Sequence, residues 1–178
     1  DERNPLNVYG NSKYLGELAV QKYVEKYFIV RIAWVFGING KNFINTMLNL
    51  GLTHDRLTVV SDQIGTPTYT YDLSRLLVDM AESDKYGIYH ATNEGGYISW
   101  YDFTVEIMKQ ATKYNDKYSK VEVLPVGSDM YPAKAKRPSN SRMDKSKLKN
   151  QGFEPLPDWK DALSRYLQQK MEIENGTN

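Results

Sequence analysis

Apolar positions fall along the chain in two alternating rhythms. Over residues 6–27, Leu15, Leu18, Ala19 and Val24 recur at helical spacing, and Pro5 is tolerated at such a helix start. Residues 28–36 (FIVRIAWVF) are short, apolar and rich in β-branched side chains, which predicts a buried strand. A turn follows at 37–41. Helical spacing returns over 43–52 through Phe43, Met47, Leu48 and Leu50, and residues 57–60 predict a short strand. The stretch 65–71 reads as a loop around Pro67. Leu73, Leu76, Leu77 and Met80 define a helix over 72–82.

The same alternation continues to the end. GIYHAT at 87–92 predicts a strand and 93–96 a turn. Ser99 is a good N-cap for a helix reaching Ala111. A strand is expected at 121–126, irregular chain at 129–141, a short helix at 144–150 ending at Gly152, and a last helix at 158–170 before a polar, frayed tail. Strands alternating with helices predict an α/β protein.

Composition narrows the chemistry. The chain has 178 residues, 40% apolar and 25% charged, ordinary values for a globular protein. It has no cysteine, which excludes disulfides, thiol catalysis and cysteine-type zinc sites. No stretch approaches the ~20 apolar residues of a membrane helix. A net charge of +1 points to no nucleic-acid partner. Charge is nevertheless uneven. Nine basic residues lie between Lys117 and Lys149, with only Glu122, Asp129 and Asp144 among them. They form either a solvated basic face or a wall that meets a diphosphate.

Tyr9 and Lys13 stand at a Y-x-x-x-K spacing, which on a helix puts both on one face. An ammonium beside a phenol favours the phenolate, so such a tyrosine can pass a proton to a developing alkoxide. The spacing is cheap. A chain with 14 tyrosines and this much lysine yields about one match by chance, and Tyr166 with Lys170 is a second, read as chance. Gly37-Ile38-Asn39-Gly40 follows a strand and precedes a helix, but Phe43 stands where a dinucleotide turn carries its third glycine, so it reads as an ordinary turn. His54 and His90 are the only histidines. Neither sits in a metal-ligand or Ser-His-Asp pattern, and His90, inside an apolar strand, reads as structural.

Together the segments resemble a known family. Asn7-Val8-Tyr9-Gly10-Asn11-Ser12-Lys13 with Gly16-Glu17 is similar to the active-site helix of extended short-chain dehydrogenases. Within that group, Arg31-Ile32-Ala33-Trp34-Val35-Phe36-Gly37, Asn42-Phe43 with Thr46-Met47-Leu48, the DQIGTPT run at 62–68, Tyr89-His90, Ser99-Trp100-Tyr101-Asp102-Phe103, Arg137-Pro138 and Trp159 with Ala162-Leu163 resemble the dTDP-4-dehydrorhamnose reductase family. The motifs keep their order over nearly the whole chain.

The resemblance implies a fold: the C-terminal part of a Rossmann-like doubly wound parallel sheet plus a small mixed α/β substrate-binding domain. Residues 1–36 and 71–92 would be the remnant of the Rossmann-like domain, and 37–70 with 93–178 mainly the substrate-binding domain. It implies hydride transfer from NADPH or NADH to the C4 ketone of dTDP-4-dehydro-L-rhamnose. Tyr9 would be the proton donor, and Lys13 would bind the nicotinamide ribose and lower the pKa of Tyr9. Trp34, Asn42, Gln63 and Arg137 would meet the dTDP-sugar.

The family's Gly-rich nucleotide-binding half and the Ser or Thr that completes its catalytic site have no match in the chain. The expected partner is therefore that half, about a hundred residues at ~30 per βα unit. Without it the sheet edge and helix faces would stand exposed, and the chain alone is expected to be inactive. The expected setting is cytoplasmic, and a homo-oligomer is left open. The alternative is a non-catalytic binding or regulatory subunit on the same fold.

Overall fold

The structure is a computed structural model that describes residues 3–131 and 138–176. Helix α1 (Val8–Tyr23) leads through a short connection into strand β1 (Phe28–Arg31), then β2 (Val35–Phe36) and α2 (Phe43–Thr53). Strands β3 (Arg56–Val60), β4 (Ile64–Gly65) and β5 (Thr68–Tyr69) precede α3 (Thr70–Ala81). Strands β6 (Gly87–His90) and β7 (Ile98–Ser99), helix α4 (Trp100–Ala111), strand β8 (Glu122–Val126), the short α5 (Ser146–Asn150) and α6 (Trp159–Glu174) complete the chain. The expected mixed α/β class is the one observed. Strands pair two by two: β1 with β6, β2 with β5 and β3 with β8 in parallel, and β4 with β7 antiparallel.

Local chemistry explains where helices begin. Ser99 Oγ accepts from the Asp102 N–H at 3.0 Å, and the Asp102 carboxylate accepts from the Ser99 N–H at 2.8 Å, a reciprocal cap that starts α4 at the expected residue. Asn7, Asn42 and Asp158 cap α1, α2 and α6 in one direction, each side-chain oxygen accepting from a backbone N–H of the first turn. Helix α6 runs on to Glu174 instead of fraying. Gln168 bonds Glu172 and Lys170 bonds Glu174, pairs spaced to support a last helical turn.

The nine-residue strand expected at 28–36 is broken. Its first four residues pair with β6 and its last two with β5, and Trp34 between them turns at φ 49°, the only non-glycine among the described residues with positive φ. Thr68 stabilises the break: its N–H donates to the Trp34 carbonyl at 3.2 Å and its hydroxyl to that of Ala33 at 2.6 Å. The predicted loop at 65–71 thus contains the strand that receives the second half of the run.

Two cores result. Phe36, Ile44, Leu48, Leu57, Val59, Tyr69, Phe103, Ile107, Trp159, Leu163, Tyr166 and Leu167 fill the space between α2, α4, α6 and the β2–β5 and β3–β8 pairs. Leu73, Leu76 and Met80 of α3 meet Tyr89, Ala91, Leu148, Phe153 and Leu156 in the other, with Phe28 and Val30 of β1 against them. A buried polar node joins the cores. Asp72 on α3, its side chain 1% exposed, takes both arms of the Arg165 guanidinium from α6, at 2.8 and 2.9 Å. Asn93 donates to the same carboxylate at 2.8 Å and to the Pro157 carbonyl, while its own oxygen receives the Tyr69 N–H. Helix α1 is different: it buries no residue, and Leu15 and Leu18 stay exposed.

A carboxylate this buried is costly without its cation. Arg165→Met is expected to lower unfolding stability by about 3 kcal/mol in urea titrations. Adding Asp72→Asn removes the orphaned charge and should recover at least ~1 kcal/mol of that loss. A single change costing under ~0.5 kcal/mol, or strict additivity of the two, would contradict this account of the node.

Candidate active site

Asn7 accepts the Gly10 N–H at 2.8 Å and so caps α1, which begins at Val8. Helical geometry then stacks Tyr9 under Lys13. The Lys13 ammonium lies 5.3 Å from the centre of the Tyr9 ring, and both side chains are exposed, Tyr9 at 71%. The pairing expected from the spacing is formed. The second Y-x-x-x-K pair is spent internally: Tyr166 is fully buried, bonded through its hydroxyl to Asn42 and Asn45, and Lys170 pairs with Glu174.

Helix α1 is held to β1 by one strong contact. Arg31, the last residue of β1, grips the Glu17 carboxylate with two bonds of 2.7 and 2.6 Å. Four residues connect α1 and β1, so the helix runs back against the strand with Glu17 beside its C-terminal end. At ~1.5 Å per residue, Tyr9 lies about 12 Å along the helix from Glu17, on the N-terminal side. Open α/β sheets place ligands beyond the carboxyl ends of parallel strands. Trp34 leaves the same end of β1, three residues after Arg31.

Trp34 does not offer an open ring face on both sides. It stacks on Trp100 at 3.7 Å between ring centres and 17° between planes, and Phe43 packs on Trp100 in turn. A side chain at position 65 would reach within 2.9 Å of the Trp34 indole, so the close approach there requires Gly65. Gln63, half-buried, lies two residues before that glycine. Asn42 caps α2, and its amide also donates to the Gly37 carbonyl and the Tyr166 hydroxyl, which commits both ends of the side chain internally. Arg137 lies outside the described residues. Gly37 belongs to a packed turn: a Cβ there would strike the Thr70 hydroxyl. His90 bonds the Asp144 carbonyl through Nδ1 at 3.0 Å, as a structural histidine does.

Glu17, Arg31 and Trp100 appear in the sequence motifs, but spacing alone gave none of them a role. An arginine inside an apolar strand was the available signal, because a charged residue there needs a partner. The guanidinium of Arg31, hydrogen-bonded to Glu17, holds that carboxyl below the usual value near 4.5; Arg3 and His90 act in the same direction, against the opposing effect of burial.

A family model, the RmlD substrate binding domain, matches residues 1–172. The dTDP-4-dehydrorhamnose reductase of Aggregatibacter actinomycetemcomitans is 41% identical over 167 residues, covering 90% of this chain and 56% of that protein. A solved dTDP-4-dehydrorhamnose reductase ortholog from Clostridium acetobutylicum superposes with a TM-score of 0.89 at 40% identity, covering 96% of this chain and 58% of that one. The reductase of Bacillus anthracis, solved in complex with NADP, gives 0.84 at 38% identity, covering 93% of this chain and 56% of that one. The chain thus spans just over half the length of the relatives it matches.

A carboxyl with a depressed folded pKa contributes stability above its unfolded value and loses it as pH falls through the folded one. Amide protection of residues 8–23 should therefore hold from pH 5 to 8 and decline only below pH ~4.5. Hydrogen exchange read by mass spectrometry checks this. A Glu17→Gln variant should show lower protection with no such acid step.

Proposed function

The chain belongs to the RmlD substrate binding domain family, and on that premise we propose that it is the C-terminal portion of a reductase. The reaction is hydride transfer from NADPH or NADH to the C4 ketone of dTDP-4-dehydro-L-rhamnose, giving dTDP-L-rhamnose in the cytoplasm. The observation that carries this reading is the pair Tyr9 and Lys13, side by side and exposed on one face of α1. The family's solved member holding NADP supports the choice of cofactor.

The residues present fit one end of such a cofactor. A phenol and an ammonium on one uncovered face suit the ribose hydroxyls and the carbonyl oxygen at a nicotinamide. The Gly37 turn is packed against Thr70 and offers the cofactor diphosphate no cradle. The nicotinamide supplies the hydride when bound. The chain supplies the proton: Tyr9 holds it on its phenolic oxygen and gives it up to the alkoxide that develops at C4. Lys13 stabilises the phenolate left behind and holds the ribose. Trp34, Gln63 and Arg137 contact the dTDP-sugar, with Asn42 shaping that pocket as the cap of α2. Residues 1–36 and 71–92 continue the nucleotide-binding half, and 37–70 with 93–178 make mainly the sugar side. The diphosphate loop and the third catalytic group come from a preceding half, so these residues alone do not turn over.

In the complete protein, Tyr9→Phe is expected to lower kcat by 10²–10⁴-fold with the fold preserved by circular dichroism, measured as NADPH consumption with dTDP-4-dehydrorhamnose. An unchanged rate would favour a non-catalytic binding subunit instead. Steady-state reduction by the isolated 178 residues would overturn the claim that they are inactive alone.

A further inference from the structure

Helix α1 presents a geometric problem to any chemistry done by Tyr9 and Lys13. No residue of α1 is fully buried, and a half-buried stripe of Gly10, Tyr14, Glu17 and Gln21 marks the side turned toward the rest of the chain. Rotation matters, because a helix turned by one residue aims its side chains about 100° away. The strongest side-chain contact on that side is the one at Glu17. Glu17 is four residues from Lys13 and eight from Tyr9, so all three lie along one face. Arg31 grips Glu17 with two parallel bonds, a fork that specifies orientation as well as proximity. Arg3 lies 4.0 Å from the same carboxylate and adds charge without a hydrogen bond.

We propose that Glu17 and Arg31 are a positioning pair: the fork between helix and strand end sets the rotation of α1 and so aims Tyr9 and Lys13 at the reacting carbonyl and the cofactor ribose. This rests on the reductase reading for what is being aimed; the clamp itself does not. Because the fork needs two bonds, a lysine at 31 keeps the charge and loses the orientation.

The test uses the complete protein, with Glu17→Gln, Arg31→Lys, Arg31→Gln and the Glu17→Gln/Arg31→Gln double variant. Rates are read well below each variant's unfolding midpoint, and exchange of residues 8–16 is read on the same samples. The pair predicts a 10- to 100-fold fall in kcat with KM changed less than threefold, and faster exchange across 8–16. The double variant should be no slower than Glu17→Gln alone, because the pair acts as a unit, and Arg31→Lys should restore less than half of the lost rate. A wild-type kcat in Glu17→Gln would overturn the proposal. So would a kcat loss with exchange at 8–16 unchanged, or a double variant that is multiplicatively worse. If the wild-type protein shows no reduction at all, the reductase reading fails instead, and the exchange comparison still decides whether the clamp holds the helix.

Discussion

A buried carboxylate organises this chain. Asp72 is buried, and the partners of its carboxylate come from distant segments: Arg165 from α6 and Asn93 from the loop after β6. Satisfying it locks the two cores against each other. The consequences reach the site. Asn93 also takes the Tyr69 N–H, which fixes β5; β5 pairs with β2; and Thr68 on β5 catches the carbonyls of Ala33 and Trp34 where the chain bends. The stacked Trp34 and Trp100 therefore stand where a charge pair beside the core places them.

The opposite end of the chain is built by a different rule. Parallel strands are ordinarily covered on both faces. Here β1 has β6 as its paired strand, and α1 beside it leaves Leu15 and Leu18 in water. Those exposures suit a helix whose apolar side meets other chain, and the matching relatives are nearly twice as long as the part aligned.

How much of this was legible in the sequence depended on how local each determinant is. Helix α4 was readable to the residue because Ser99 and Asp102 carry its whole start within four positions. The Tyr9–Lys13 pair was readable because helical spacing alone makes it. The break at Trp34 was not. An apolar run cannot show a positive φ, and what rewards the turn is Trp100, far along the chain, with Thr68 holding the carbonyls. Asn42, placed in the pocket by resemblance, spends its amide on capping α2 and on Tyr166, a contact across 124 positions. Arg31 stood in plain view as a charge in an apolar strand, yet its partner had several candidates.

The contrast between Asp72 and Glu17 follows from what each must leave free. Asp72 joins the two cores, and it is buried with its carboxylate bonded to Arg165 and Asn93. A helix that carries reacting groups must keep the face bearing them open to ligand, and burying that face would remove the groups it presents. An ion pair near the rim avoids the conflict. It fixes angle through the two bonds of a guanidinium while covering little surface, and it sits a full two turns from Tyr9. Partial exposure makes such a pair a weak contributor to overall stability. A weak stabiliser with strict geometry is suited to aiming a helix rather than to holding a core together.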